Sequence, residues 1–350
     1  MTRLGITMDY SDDFATVAAD VVEFERVGAD VVEVAEAYSF DAVSRLGYLA
    51  AVTSTITLAS GILPLYSRTP TLLAMTAAGL DSVSGGRFEL GLGTSGPQVI
   101  EGFHGVPFAT PLAHVRETVE ICRSVWRRER VEHAGRAYTI PLPAGQGTGL
   151  GKPLKIINTP VREAIPIAIA SLAPKAVAQT AEIADGWLPL FYHPEKAHLA
   201  WGESLAAGAA LRDPALGSLD TIVSVPLLIG DHVDPFLDAY RQRLALYVGG
   251  MGARTANFYN DLAVRYGYVD EAATVQDLYL SGDKAAAAAA IPDELLTSTS
   301  LIGSEAHVRE RLAAYAASGA TTIVVMPLSP TTAGRIESIE AVRAMLDEAA

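Results

Sequence analysis

Cysteine is nearly absent. Cys122 is the only one in 350 residues, which excludes a disulfide framework and any zinc site built on cysteine; no metal site is expected. Its apolar, helix-like setting (Ile121 to Val125) makes it a small core residue. Long apolar runs are missing too, since Thr, Ser, Arg or Asp interrupts each before it reaches membrane-spanning length. Met1-Thr2-Arg3-Leu4-Gly5-Ile6 enters a strand pattern without the basic and apolar regions of a leader, so a cytoplasmic location is expected. Basic charge is scarce: 26 Lys and Arg, only five of them Lys, face 40 Asp and Glu, for a formal net charge of −14. Such a chain repels phosphate backbones and anionic lipid, so neither nucleic acid nor membrane is an expected partner. An anionic cofactor would have to be held by local donors.

Half of the residues are hydrophobic and 19% are charged, enough for a large core and too apolar for disorder. Strand and helix patterns alternate along the whole length. The runs Leu4–Met8, Asp30–Ala35, Ile56–Ser60, Phe88–Gly91, Ile165–Ala170, Gly186–Leu190, Thr221–Ile229 and Thr321–Met326 predict eight strands. They are continuous rather than alternating apolar runs, as in parallel sheets covered on both faces. Between them, Phe14, Val17, Val21, Phe24 and Val27 follow helical spacing after a cap at Ser11 or Asp12, and Gly28 ends that helix. Further helices are predicted over 39–53, from Pro70 to Val83 and over 174–184. Eight such units predict one (β/α)8 TIM barrel spanning residues 1–350. Two excursions break the rhythm, a Gly- and Pro-rich one at 131–160 with a possible hairpin and a mostly helical one at 231–300. Such excursions are expected at the carboxyl ends of strands, beside the active site. The Ala-rich run 285–290 reads better as a packing or dimer element.

Gly91-Leu92-Gly93-Thr94-Ser95-Gly96 fits the G-x-G-x-x-G spacing of dinucleotide-binding folds. That chemistry needs a helix starting inside the motif, aimed at a pyrophosphate. Here Pro97 and an irregular stretch through Phe103-His104-Gly105 are expected to follow, and the motif sits on the fourth strand, so the dinucleotide reading is set aside.

Leu80-Asp81-Ser82-Val83-Ser84-Gly85-Gly86-Arg87-Phe88 with Leu90-Gly91-Leu92-Gly93 resembles the signature of the luciferase-like monooxygenase superfamily. The resemblance extends to Gly61-Ile62, Arg68-Thr69-Pro70 and Ala184-Asp185-Gly186-Trp187. Val34 to Tyr38, Ser95 to Gly102 and Gly147 to Leu154 are similar to its deazaflavin-dependent subgroup. The resemblance implies coenzyme F420 as the cofactor, with FMN as the alternative. It also implies a non-prolyl cis bond at Gly61-Ile62 backing the ring, although a plain glycine bulge would account for the same residues. Thr94, Ser95 and Gly96 would face the ring or its side chain. Ala170, Ser171, Leu172, Ala173 and Lys175 would hold the phosphate at a helix start opened by Pro174; simple capping explains all of these but the lysine.

Glu36 matches an acid near the ring. Protonated, it could hydrogen-bond the ring edge or substrate; ionised, with its charge stabilised by a donor such as Tyr38 or Tyr66, it would disfavour the anionic reduced deazaflavin, and a carboxylate capping the next helix at Ser39 or Phe40 is the other reading. The histidine that sugar-phosphate dehydrogenases of the subgroup place after this acid is Ala37 here. Their second acid falls on Gly96 or Pro97, which argues against sugar-phosphate oxidation. Tyr38, Tyr66, Gln98, Glu101 and His104 remain as polar candidates, and Glu36 and Gln98 are carried forward as the catalytic pair. The expected activity is hydride transfer between the deazaflavin and a small lipophilic substrate, in a homodimer. An FMN monooxygenase fed by a separate reductase and a catalytically inactive flavin-binding barrel are the rival readings.

Overall fold

The computed structural model describes residues 2–8, 10 and 13–349. Eight parallel strands close into a barrel in chain order: Arg3–Thr7, Val31–Val34, Thr57–Ser60, Phe88–Gly93, Ile167–Ala170, Gly186–Leu188, Asp220–Ile229 and Thr322–Pro327. The first strand closes on the eighth through Arg3 opposite Thr322, and the sixth pairs with the seventh through Gly186 opposite Asp220. All eight predicted strands are present. The caps expected at Ser11 and Asp12 lie outside the described residues; Asp13 accepts from the Thr16 N–H and caps helix Phe14–Arg26.

Alternate residues along each strand separate the two faces. Leu4, Ile6, Val32, Val34, Leu58, Phe88, Leu90 and Leu92 join the helices in the main core. The bore holds a second, much smaller apolar cluster of Ala168, Ile222 and Val324, with Leu188 against it. At the amino end of the bore, Arg3 donates to Glu89 at 2.9 Å and to Asp220 at 3.4 Å, and Asp220 also accepts from the Thr322 hydroxyl at 3.0 Å.

The motif over residues 80–93 is structural. Gly85, at φ 71°, caps helix Pro70–Ser84 in the left-handed region. Asp81 is wholly buried and pairs with Arg162, while Arg87 donates to the carbonyls of Ala50, Thr53, Ile56 and Ser84. These bonds tie two helix ends to the third and fourth strands. Gly91 has no room for a side chain: a Cβ there would fall 1.7 Å from the Ser60 carbonyl oxygen. The glycines that mimic a phosphate loop thus permit the close approach of strand three to strand four.

The two excursions differ in place. Residues 131–160 precede strand five and so join a helix to a strand, not a strand to a helix as expected of an active-site excursion. They do contain a hairpin, His133–Ala134 with Thr139–Ile140. Its turn is gripped by Glu117 of helix Pro111–Trp126, which accepts from the N–H groups of Arg136, Ala137 and Tyr138. Residues 231–300 follow strand seven and sit at the carboxyl end. Helices Asp234–Ala245, Phe258–Arg265, Val269–Leu280, Lys284–Ala289 and Asp293–Ser298 build them, and strand Leu301–Gly303 then adds to the end of strand seven. The Ala-rich run forms Lys284–Ala289, with Ala287 and Ala288 buried against its neighbours.

Candidate active site

The strand ends at the barrel's carboxyl rim bring together the residues singled out in the sequence. Strand three stops at Ser60, turns a corner through a cis Gly61-Ile62 bond, and resumes as Leu63–Pro64 beside strand four. The cis geometry agrees with the sequence expectation. The Gly61 N–H donates to the Val34 carbonyl at 3.0 Å. Ile62 lies over Gly93, where a Cβ would come within 3.0 Å of its side chain. Ala170 lies beside them, its Cβ 3.5 Å from where a Cβ on Gly93 would be, and Gly61, Ile62 and Ala170 stay partly exposed; this corner of the rim is the candidate cradle for a ring.

Glu36 is held at this rim by a guanidinium. Arg68 donates from Nη1 to Oε1 at 2.5 Å and from Nη2 to Oε2 at 2.9 Å, a bidentate pair with both side chains largely buried. The Ala42 N–H adds a third bond at 2.8 Å. The capping alternative therefore holds in part, at the start of helix Ala42–Val52 rather than at Ser39 or Phe40. The donors expected from sequence serve elsewhere. Tyr66 donates to the Ala109 carbonyl at 2.7 Å, and burial pushes its phenol up to about 12. Tyr38 is exposed, its ring 6.3 Å from that of Phe103. Sequence reasoning named Arg68 only as part of a motif; its place just before the helix-opening Thr69-Pro70 gave no sign that it would fold back onto Glu36.

At the end of strand four, Thr94 donates to the Ser95 carbonyl at 3.3 Å, and Ser95 adopts φ 56°. The next residues are not irregular as expected: Gly96 caps a short helix, Pro97–Gly102, and the irregular stretch begins only at Phe103. Proline at the first helical position suits this start because its missing N–H would be unpaired there anyway. Gln98 is exposed on that helix, and Glu101 accepts from the Phe108 N–H at 3.0 Å. His104 keeps a buried Nε2 with no hydrogen-bond partner among the described residues.

Strand five leads through Ala170–Ala173 into helix Pro174–Ile183, whose N-cap, Ala173, gives no side-chain bond. The Ser171 hydroxyl is turned inward to that of Thr180 at 2.9 Å, not toward the loop opening. Free N–H groups of the first turn and the exposed Lys175 therefore remain for an anion. The loop is braced from behind: Trp187 donates to the Ser171 carbonyl at 3.0 Å, and Trp201 and Arg265 donate to that of Leu172 at 2.9 and 3.0 Å. Arg265 belongs to the 231–300 excursion, so that segment fixes the loop as well as roofing the rim. Its Tyr247 ring packs edge-on against Phe191, 5.0 Å away, beyond the end of strand six.

Gly61, Ile62, Gly93 and Ala170 thus stand at the ends of strands three to five, and the strand-five loop leads into a helix start with no side-chain cap and the exposed Lys175. Two surface hollows, one along Glu305, Arg309 and Ala313 and one between Arg116, Arg123, Glu182 and Asp213, lie on outer helix faces away from the strand ends. Among the described residues no cluster of His, Cys, Asp and Glu could hold a metal ion, and no helix is long and apolar enough to cross a membrane.

Comparison with known proteins agrees with this geometry. A Mycobacterium tuberculosis protein named as a coenzyme F420-dependent oxidoreductase is 42% identical over 330 residues, covering 93% of each chain. The coenzyme F420-dependent tetrahydromethanopterin reductase of Methanopyrus kandleri superposes with a TM-score of 0.78 at 21% identity, over 97% of each chain. The oxygenating constituent of Pseudomonas putida 3,6-diketocamphane monooxygenase, in complex with FMN, reaches 0.64 at 20% identity, over 98% of this chain and 96% of that one. These two structures show a shared fold. Residues 1–322 match the luciferase-like monooxygenase family, and the chain belongs to it.

Proposed function

We propose that the chain is a deazaflavin-dependent oxidoreductase, moving a hydride between coenzyme F420 and a small lipophilic substrate. The observation that carries this reading is the 42% identity, along 93% of the chain, to a protein named for that coenzyme. The cradle supports it: Gly61, Ile62, Gly93 and Ala170 would take the ring, Thr94 to Gly96 its edge and side chain, and Lys175 with the first turn of Pro174–Ile183 the phosphate. When bound, the coenzyme supplies a ring carbon that gives or accepts hydride. The protein's share is orientation and exclusion of water.

Glu36, clamped by Arg68, fixes charge at the rim, and Gln98 is the exposed hydrogen-bonding group beyond strand four. The exposed rings of Tyr38 and Phe103 favour a lipophilic substrate. With Ala37 where the sugar-phosphate enzymes of the subgroup carry histidine, that substrate class is not proposed. A homodimer is the proposed assembly, supported by exposed Leu72, Met75 and Val83 on helix Pro70–Ser84, and the proposed location is cytoplasmic. An FMN monooxygenase is the second reading, favoured by the likeness to the diketocamphane enzyme. Turnover separates the two. Incubated without oxygen, the protein with reduced coenzyme F420 and a panel of apolar ketones should regenerate oxidised coenzyme. Oxygen uptake with reduced FMN, and none of that anaerobic turnover, would decide for the monooxygenase.

A further inference from the structure

Glu33, like Glu89 and Asp220, is an acid of the bore that the site just described does not use, and it is the one set beneath the rim. It is the third residue of strand two, opposite Thr7 on strand one and Ala59 on strand three. Only 5% of it is exposed, and no described residue donates a hydrogen bond to its carboxyl. Its side chain lies along the inner face of Gly61: a Cβ on that glycine would fall 2.9 Å from Glu33 Oε2 and 3.2 Å from its Cβ and Cδ. The carboxyl thus sits directly beneath the corner of the cradle, between the rim and the charged amino end of the bore.

Three charged groups face it from there, Glu89 on strand four, Asp220 on strand seven and Arg3 on strand one. Arg3 is committed to the two other acids, so the surroundings of Glu33 are negative on balance. A carboxylate there would be dehydrated, unpaired and repelled. Burial, and then Glu89 and Asp220, push its carboxyl up to about 8. Around neutral pH this favours the protonated, uncharged acid beside Gly61.

We propose that Glu33 is a positioning residue of the cofactor site, the group through which the bore beneath Gly61 matches its charge to that of the coenzyme at the rim. This rests on the deazaflavin reading. The reduced deazaflavin is an anion, and a neutral Glu33 accepts it without a charge penalty. As pH rises past about 8 the carboxyl ionises in the free protein, and holding the anion then requires taking up a proton. Affinity for the reduced form should fall with rising pH, by up to tenfold per unit where one proton is linked.

The test is equilibrium dialysis of the full chain with reduced and oxidised coenzyme F420, between about pH 6.5 and pH 9.5, for the wild type and Glu33→Gln. The amide keeps size and polarity but cannot ionise. The expected result is a wild-type affinity for the reduced form that falls above about pH 8 and a flat profile for Glu33→Gln. The same fall in both proteins, or in neither, overturns the proposal while leaving the deazaflavin reading in place. Failure of either form to bind at any pH overturns that reading, and the proposal with it. Should Glu33→Gln not fold, proton uptake by the wild type on binding the reduced form, measured in weak buffer near the alkaline limit, still decides; no uptake refutes the proposal.

Discussion

Glu33 lies in strand two and Glu36 two residues past its end, one facing the bore and the other on the rim, and they meet different surroundings. At the rim, Arg68 and the Ala42 N–H together give Glu36 three hydrogen bonds. In the bore, the one cation among the described residues that faces Glu33 is Arg3, already shared between Glu89 and Asp220, and burial with these two acids pushes the carboxyl up to about 8. The comparison shows that burial alone does not decide how an acid behaves. The donors within reach decide, and in this barrel they lie at the two ends of the bore and not in its middle.

The sharpest way to break this comparison is to take the partner from Glu36. Arg68→Ala leaves a largely buried carboxylate with one backbone donor and should destabilise the fold by roughly 2–4 kcal/mol, seen as a lower urea midpoint. It should also weaken coenzyme binding, because the loop opening helix Pro70–Ser84 loses its anchor. An unchanged midpoint would mean that the pair contributes nothing and that rim and bore do not differ. The smallest expected effect is at Lys175, an exposed side chain proposed to meet the coenzyme phosphate. Lys175→Ala should leave stability unchanged and weaken coenzyme F420 binding by roughly 1–2 kcal/mol for one charge-assisted contact, the deficit shrinking as salt is raised. Equal affinity at low salt would remove Lys175 from the site.

The barrel was legible because its strands are unbroken Val, Ile and Leu runs separated by helix-ending glycines such as Gly28, and that pattern is local. The Gly61-Ile62 corner was legible through the family motif. What stayed hidden depended on contacts across the chain. Arg68 reaches back 32 residues to Glu36, and no spacing rule predicts that. Ser171 looked like a loop hydroxyl, but the helix it precedes offers Thr180 as a closer partner. Glu33 gives no signal of its own within the run Asp30–Ala35, and only closure of the barrel brings Glu89 and Asp220 around it. The excursion at 131–160 was assigned to the active-site end because glycine and proline mark a loop without saying which end of the barrel it occupies.

The account turns on which coenzyme the cradle holds, and a parallel titration of the purified protein with oxidised coenzyme F420 and FMN tests that most directly. The prediction is saturable binding of the deazaflavin at one per chain, with FMN at least about tenfold weaker, a difference of about 1.4 kcal/mol. Tight binding of FMN together with none of the deazaflavin would contradict it.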